Sequence, residues 1–196
     1  MANSEPSSDV PDAGASKLVE FTVVVVLVPP NRAAHENELR AITRDPNVMK
    51  WVANGQVWSE AKLQRFFQYC EEEEHQGPSE RKNYYHAVTV NGTCVGVVGI
   101  HPVRYDPGST TLSALTIFLS SGILGRGVGT RVVQAALQAY DAIYPDIGVV
   151  IDIRASNSPM KRVAEKVGFV HTKSLEISGR DYCRYERPRL STVDRL

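Results

Sequence analysis

Residues 115–136 read LTIFLSSGILGRGVGTRVVQAA, and the order of residue types in this stretch decides the fold. Residues 115–119 make a short apolar strand. Ser120-Ser121-Gly122-Ile123-Leu124 then carries the chain into Gly125-Arg126-Gly127-Val128-Gly129-Thr130, and a helix follows. In that helix Val128, Val132, Ala136 and Tyr140 keep a four-residue spacing, with Val133 and Leu137 beside them, so one face is apolar. The glycines therefore stand where a strand hands over to a helix. Residues without side chains let successive backbone N–H groups approach an anion, and the positive end of the helix dipole points at the same spot. Read from its residues, the stretch is a cradle for phosphate groups.

Spacing separates the glycine loops that hold phosphate. A Walker loop requires Gly-Lys and then Ser or Thr, whereas Gly129 is followed by Thr130 and Arg131. A dinucleotide-binding fingerprint requires a third glycine where Thr130 stands, and no acidic residue ends a strand about 20 residues on. The loop Leu124-Gly125-Arg126-Gly127-Val128-Gly129 resembles instead the Arg/Gln-x-x-Gly-x-Gly/Ala loop of the GNAT superfamily of acyl-CoA-dependent N-acyltransferases. A second segment, Asn157-Ser-Pro-Met-Lys-Arg-Val-Ala-Glu-Lys-Val-Gly-Phe169, is similar to that family's Asn-x-x-Ala/Ser and Glu-Lys-x-Gly-Phe pattern. As in the family, it follows an apolar strand at residues 148–155. Arg44-Asp-Pro-Asn-Val-Met-Lys-Trp51, ahead of a capped helix, resembles the branch that includes the ribosomal-protein N-terminal acetyltransferases.

Composition narrows the partners. Lys+Arg and Asp+Glu are equal at 22 each, so no bulk charge favours nucleic acid or an anionic membrane. The longest apolar run, residues 23–28, ends in Pro29-Pro30, far short of the roughly 20 residues that span a bilayer. The polar first residues lack the apolar core of a signal peptide, which gives a cytoplasmic, or alternatively nuclear, expectation. Cys70, Cys94 and Cys183 form no Cys-x-x-Cys pair and indicate neither a disulfide framework nor a zinc site.

Along the chain, residues 1–17 read as a disordered tail, 18–188 as one acetyltransferase domain and 189–196 as a C-terminal tail. Residues 21–28, rich in β-branched side chains, form a strand stopped by the prolines. Asn31 caps a helix running to Ala41; Asp45-Pro46 breaks the chain; Ser59 caps a helix over residues 60–75. The run Glu71 to Glu74 reads either as solvated surface or as an acidic rim for a cationic amine. Residues 84–90 and 93–103 flank the Asn91-Gly92 turn as a hairpin, with Gly96 and Gly99 marking close packing or a bulge. Asp106-Pro107-Gly108 turns into the strand at 111–119. After the glycine-loop helix, Val149, Ile151 and Ile153 face inward and Asp152 and Arg154 outward. Asn157 or Ser158 caps the next helix, Gly168 closes it, and residues 169–177 and 181–186 pair as a last hairpin. This order resembles the GNAT fold, an α/β architecture with a mixed, mostly antiparallel sheet of about seven strands and about four helices. The resemblance also implies a V-shaped cleft for pantetheine between the strands on either side of the glycine-loop helix.

The function implied by the resemblance is N-acetyl transfer, with acetyl-CoA as co-substrate and no metal. The acceptor is a primary amine, either a protein N-terminus or a small amine, and the protein is a monomer or homodimer. Such a transfer requires the pyrophosphate to be held, the ammonium to lose a proton, and the oxyanion and departing thiolate to be stabilised. Cofactor contacts fall on Ile117, Phe118, Leu119, Leu124, Gly125, Arg126, Gly127, Val128, Gly129, Thr130 and Asn157, with Arg131 available for another phosphate. The family's acid and base positions are filled differently: Ala114 stands where many relatives carry a carboxylate, Ala164 where many carry a Tyr, and Met160 where the ribosomal branch carries a Ser. Substitutes come from elsewhere, with His101 and Tyr182 as the catalytic candidates and His86, Tyr84, Tyr85, Asp181 and Tyr185 nearby. In the family, acceptor choice is set by the segment corresponding to residues 33–58 and by the last hairpin. The three altered positions leave a second reading open, an acyl-CoA-binding sensor or interaction module without catalysis.

Overall fold

Pro46 shapes the start of the molecule, because a proline disfavours helical backbone in the residue before it. In the computed structural model, which describes residues 24–77, 80–102 and 112–187, strand β1 (Val25–Val28) leads into helix α1 (Arg32–Arg44). That helix runs past Ala41 and stops only at Asp45, whose backbone is extended. The Asp45 side chain accepts from the Asn47 N–H and, with Pro46 in the first turn, starts a short helix α2 (Pro46–Met49). Among the described residues the α-helices number five, the short α2 being the one beyond the expected four or so. Helix α3 (Glu60–Glu74), capped by Ser59, is tied to α1 where Arg40 grips the Glu60 carboxylate at 3.0 and 2.8 Å.

The hairpin of β2 (Tyr84–Val90) and β3 (Thr93–Pro102) turns on Asn91 and Gly92, with φ of 50° and 80° as a mirror-image two-residue turn demands. Strand β4 (Leu112–Leu119), a 3-10 turn at Ser121–Ile123, helix α4 (Val128–Ile143), strand β5 (Gly148–Arg154), helix α5 (Ser158–Lys166) and the hairpin β6 (Val170–Glu176) and β7 (Asp181–Arg187) complete the chain. The sheet order is β1-β2-β3-β4-β5-β7-β6, antiparallel throughout except between β4 and β5. The expected tails at 1–17 and 189–196, residues 21–23 and the Asp106-Pro107-Gly108 turn lie outside the described residues.

Alternation along the strands sorts side chains onto two faces. One face carries Ala87, Val97 and Phe118 against Leu39, Ile42, Met49, Leu63 and Phe67 of the first three helices. The other carries Ile100, Leu115, Val149, Ile151 and Ile153 beneath Val133, Leu137 and Tyr140 of α4 and Ala164 of α5. Val88, Val98 and Leu119 extend that second face beneath Val128, Val132 and Ala136.

The two glycines of β3 have separate reasons. Pairing shifts between Val88 and Thr89, which face Gly96 and Cys94, so Val95 is the extra residue of a bulge. A Cβ on Gly96 would lie 2.2 Å from the Phe118 carbonyl oxygen, and one on Gly99 2.2 Å from the Tyr85 ring. Gly96→Ala must displace backbone of β4, so a loss of about 1–3 kcal/mol is expected from such overpacking, read as a lower urea midpoint at unchanged slope.

Candidate functional site

Strands β4 and β5 pair over three positions only, Leu112 with Gly148, Ser113 with Val149 and Ala114 with Val150. Beyond Ala114, β4 stays tied to β3 as far as Leu119, while β5 stays tied to β7 as far as Arg154. Each strand is held by its outer neighbour, so the two part. The opening is a cleft of about 840 Å³. Ile117, Phe118, Leu119 and Leu124 line one wall, and Asn157 and Met160 stand at the start of α5 on the other. Leu124 is 62% exposed, an apolar side chain left at the mouth.

The glycine loop begins directly after Leu124. Gly125 and Gly127 hold φ of 80° and 74°, the left-handed region, and a Cβ at either would meet nothing within 4 Å. Backbone conformation, not lack of space, requires glycine there. Gly127 is the N-cap of α4 and has no side chain to receive the first N–H groups of the helix. The intrahelical ladder starts with Arg131 N–H donating to the Gly127 carbonyl at 3.3 Å, so the N–H groups of Val128, Gly129 and Thr130 project from the helix start. Val128 is buried in the core and offers only its backbone, whereas Arg126 is exposed. Asn157 serves α5 as well, its side-chain oxygen accepting from the Met160 N–H at 3.2 Å.

His101 stands at the closed end. It is paired directly with Ala114 across β3 and β4, and directly opposed residues share a face. The ring stacks on Tyr85 at 6.2 Å between centroids, over the space that Gly99 leaves open. His101 Nδ1 lies 3.1 Å from the Pro102 carbonyl, which only accepts, so that nitrogen carries the proton. In the neutral ring Nε2 then holds the lone pair, 3.2 Å from the Thr116 hydroxyl. An imidazole from the next strand thus occupies the place beside Ala114.

Tyr182 lies at the open end, paired with Arg154 across β5 and β7. Its hydroxyl donates to the Ala53 carbonyl at 3.2 Å, and the Arg154 guanidinium sits 5.3 Å over its ring. The fold therefore separates the two catalytic candidates, with Tyr182 occupied as part of a tie across the cleft. Arg154 donates to the same Ala53 carbonyl at 3.2 Å, and Arg180 donates to the Asn54 carbonyl. Tyr185 is buried in the core beneath α4 and α5 together with Ala164 of α5, and Tyr84 packs against that same cluster. Glu71 to Glu74 do not line the cleft; Glu73 is buried, accepting from the Tyr69 hydroxyl at 2.9 Å and the Asn83 N–H at 3.1 Å.

Several lining residues escape sequence reasoning. Thr116 was within reach of the two-residue period, since it shares a face with Ala114. Trp58, Phe66, Arg154 and Arg180 arrive from separate elements and carry no local signal. Among the described residues, no helix is long and apolar enough to cross a membrane, and no group of three or more His, Cys, Asp and Glu is placed to hold a metal ion.

Residues 25–170 match the family model of the acetyltransferase (GNAT) domain. No curated protein matches the chain. Among solved structures, a ribosomal L7/L12 α-N-protein acetyltransferase, RimL, in complex with coenzyme A superimposes with a TM-score of 0.67 at 17% identity, covering 86% of this chain and 96% of that one. Spermidine N-acetyltransferase from Vibrio cholerae with CoA and spermine gives 0.67 at 16% identity, over 84% and 95%. The aminoglycoside acetyltransferase AAC(6')-Ib with coenzyme A gives 0.67 at 16%, over 85% and 95%. At these identities the likeness is one of fold.

His86, the other histidine of the central hairpin, is structural. Burial, helped by the charge of Arg81, holds its imidazole down at about 4, and it packs at a tilt against the Tyr84 ring with centroids 4.6 Å apart. The unfolded chain takes up this proton near pH 6.5, the folded chain only near 4, so stability falls as pH drops through that window. Urea midpoints at pH 7 and pH 5 should differ more in the wild type than in His86→Gln; equal differences would remove His86 as the cause.

Proposed function

Since the chain belongs to the GNAT acetyltransferase family, we propose that it moves an acetyl group from acetyl-CoA to a primary amine, a protein N-terminus or a small amine, with His101 as general base. The observation that carries this reading is the three-residue ladder between β4 and β5, which opens a cleft running from the glycine cradle to His101.

The residues present fit acetyl-CoA. Two left-handed glycines with open space above them, uncapped N–H groups at the start of a 16-residue helix and an exposed Leu124 suit a pyrophosphate with an apolar arm beyond it. Backbone N–H groups of residues 125–130 would hold the pyrophosphate, and the positive charge of Arg126 and Arg131 would add to it. The unpaired inner edge of β4 beyond Ala114 offers backbone groups to the amides of pantetheine, and Ile117, Phe118 and Leu119 give its apolar atoms a wall. The co-substrate supplies an activated acetyl thioester; the chain's own task is to bring a neutral amine to it. An amine is protonated at neutral pH, and imidazole, with an ordinary pKa near 6.5, is suited to removing that proton. Pro102 fixes the His101 tautomer with Nε2 as acceptor, and the Thr116 hydroxyl fixes the ring's direction. A base opposite Ala114 also supports catalysis over a purely sensing role, because it restores on β3 what that position of β4 lacks.

Acetyl-CoA at 100 times its dissociation constant should stabilise the wild type by about 2.7 kcal/mol, a rise of several degrees in Tm. Gly127→Glu should lose that shift, since the variant sets a carboxylate and a strained backbone in the cradle. A retained shift would place the pyrophosphate elsewhere. His101→Gln should keep the acetyl-CoA shift while kcat for thiol release falls about 10²–10⁴-fold, and the acid limb of the wild-type pH profile should disappear. An unchanged profile would exclude His101 as the base.

A further inference from the structure

The charges lining the cleft are mostly of one sign. Val149, Ile151 and Ile153 face α4 and α5, so Asp152 and Arg154 face the other way, on the side of Ala114 and His101. Asp152, the single carboxylate among the described lining residues, is held bidentate by Arg184 at 2.8 and 2.8 Å. That leaves Lys62, Arg154 and Arg180 as the charges facing the cavity.

Arg154 and Arg180 reach this place from different elements and converge. A Cβ on Gly55 would sit 3.2 Å from Arg154 Nη2 and 2.9 Å from Arg180 Nη1, so the two guanidiniums meet over the same glycine. Each gives one N–H to a carbonyl of the 53–54 loop, and neither has a carboxylate partner among the described residues. Arg154 Nε is shut off from solvent without a hydrogen-bond partner. Two like charges brought together in this way repel, and each guanidinium still has donors to give to an anion.

Resting on the transferase reading, we propose that the acceptor amine carries an anionic group, a carboxylate several bonds from the reacting nitrogen, which Arg154 and Arg180 grip. Arg154 lies four residues beyond Val150, which is level with Ala114 and His101, a separation on the order of 13 Å along the strand at about 3.3 Å per residue. The arginine side chain shortens that gap, so the anion sits roughly two residues of extended chain from the amine. An acidic side chain at the second or third position of a peptide meets this spacing, and a small amino dicarboxylate shares the chemistry. Polycationic acceptors are disfavoured by the same charges. The spermine of the Vibrio cholerae structure is an amine of that kind.

The test measures binding directly, so that it does not depend on turnover. Protein loaded with CoA is titrated with a fluorescent free-amine tetrapeptide bearing Asp at positions two and three, and this probe is competed by its Lys counterpart, by glutamate and by spermidine. The acidic peptide should bind at least tenfold more tightly than the Lys peptide, with the contrast shrinking as NaCl rises. Arg180→Glu, on an exposed turn, should erase the preference, and Arg180→Gln should halve it or more. Competition by glutamate as strong as by the peptide would support a small acceptor, and competition by the peptide alone a protein N-terminus; both keep the anion site. Equal or tighter binding of the Lys peptide or spermidine, no binding of the acidic peptide, or a preference untouched in Arg180→Glu would overturn it. Acidic binding without thiol release from acetyl-CoA would instead count against the transferase reading and leave the anion site standing.

Discussion

Three backbone pairings between β4 and β5 set the geometry of everything else in this molecule. Were the ladder longer in the same register, the sheet would be closed and Phe118 and Arg154 would be neighbours in it. The competition is plain in the register: β3 follows β4 to its end, β7 follows β5 to its end, and strand twist rotates each pair away from the other. An unpaired inner edge costs a sheet hydrogen bonds, and the proposed pantetheine contacts are what would replace them along β4 beyond Ala114.

The proposed function divides the cleft between two kinds of recognition. At the glycine loop the shape is set by backbone conformation, and Val128 is buried in the core while Leu124 and Arg126 are exposed. At the other end, side chains do the work on a single face of the sheet, where His101, Ala114 and Thr116 give way to Asp152, Arg154, Tyr182 and Arg184. Gly99 links fold and chemistry: its missing side chain lets the Tyr85 ring lie flat enough to stack on His101. The loop at residues 53–55, with Ala53 at a φ of 45°, is tied across the opening by Arg154, Tyr182 and Arg180.

Much of the fold was legible in the sequence because its signals are local. The Asn91-Gly92 turn, the caps at Asn31, Ser59 and Asn157, and the glycine closing α5 each act within a few residues, and each is where spacing puts it. The short helix α2 was not, since Asp45-Pro46 reads equally as a break and as a cap followed by a first-turn proline. The acidic run was half legible: most of it is exposed, but Glu73 is turned inward by Tyr69 and Asn83, a partner ten residues away. Of the catalytic candidates, His101 stands in the cleft beside Ala114, while Tyr182 is drawn into the tie at the far end.

The sequence by itself determined the order of elements, the glycine cradle at the head of α4 and the family, because turn, cap and glycine-loop chemistry is written in consecutive residues. Only the tertiary structure decided that β4 and β5 part after Ala114, that His101 stands opposite that alanine, and that Arg154 and Arg180 meet over Gly55. Those facts depend on which strands are neighbours and where their pairing stops. A hairpin's register follows from its local turn, but the splay of β4 from β5 is set by contacts between residues far apart in the chain.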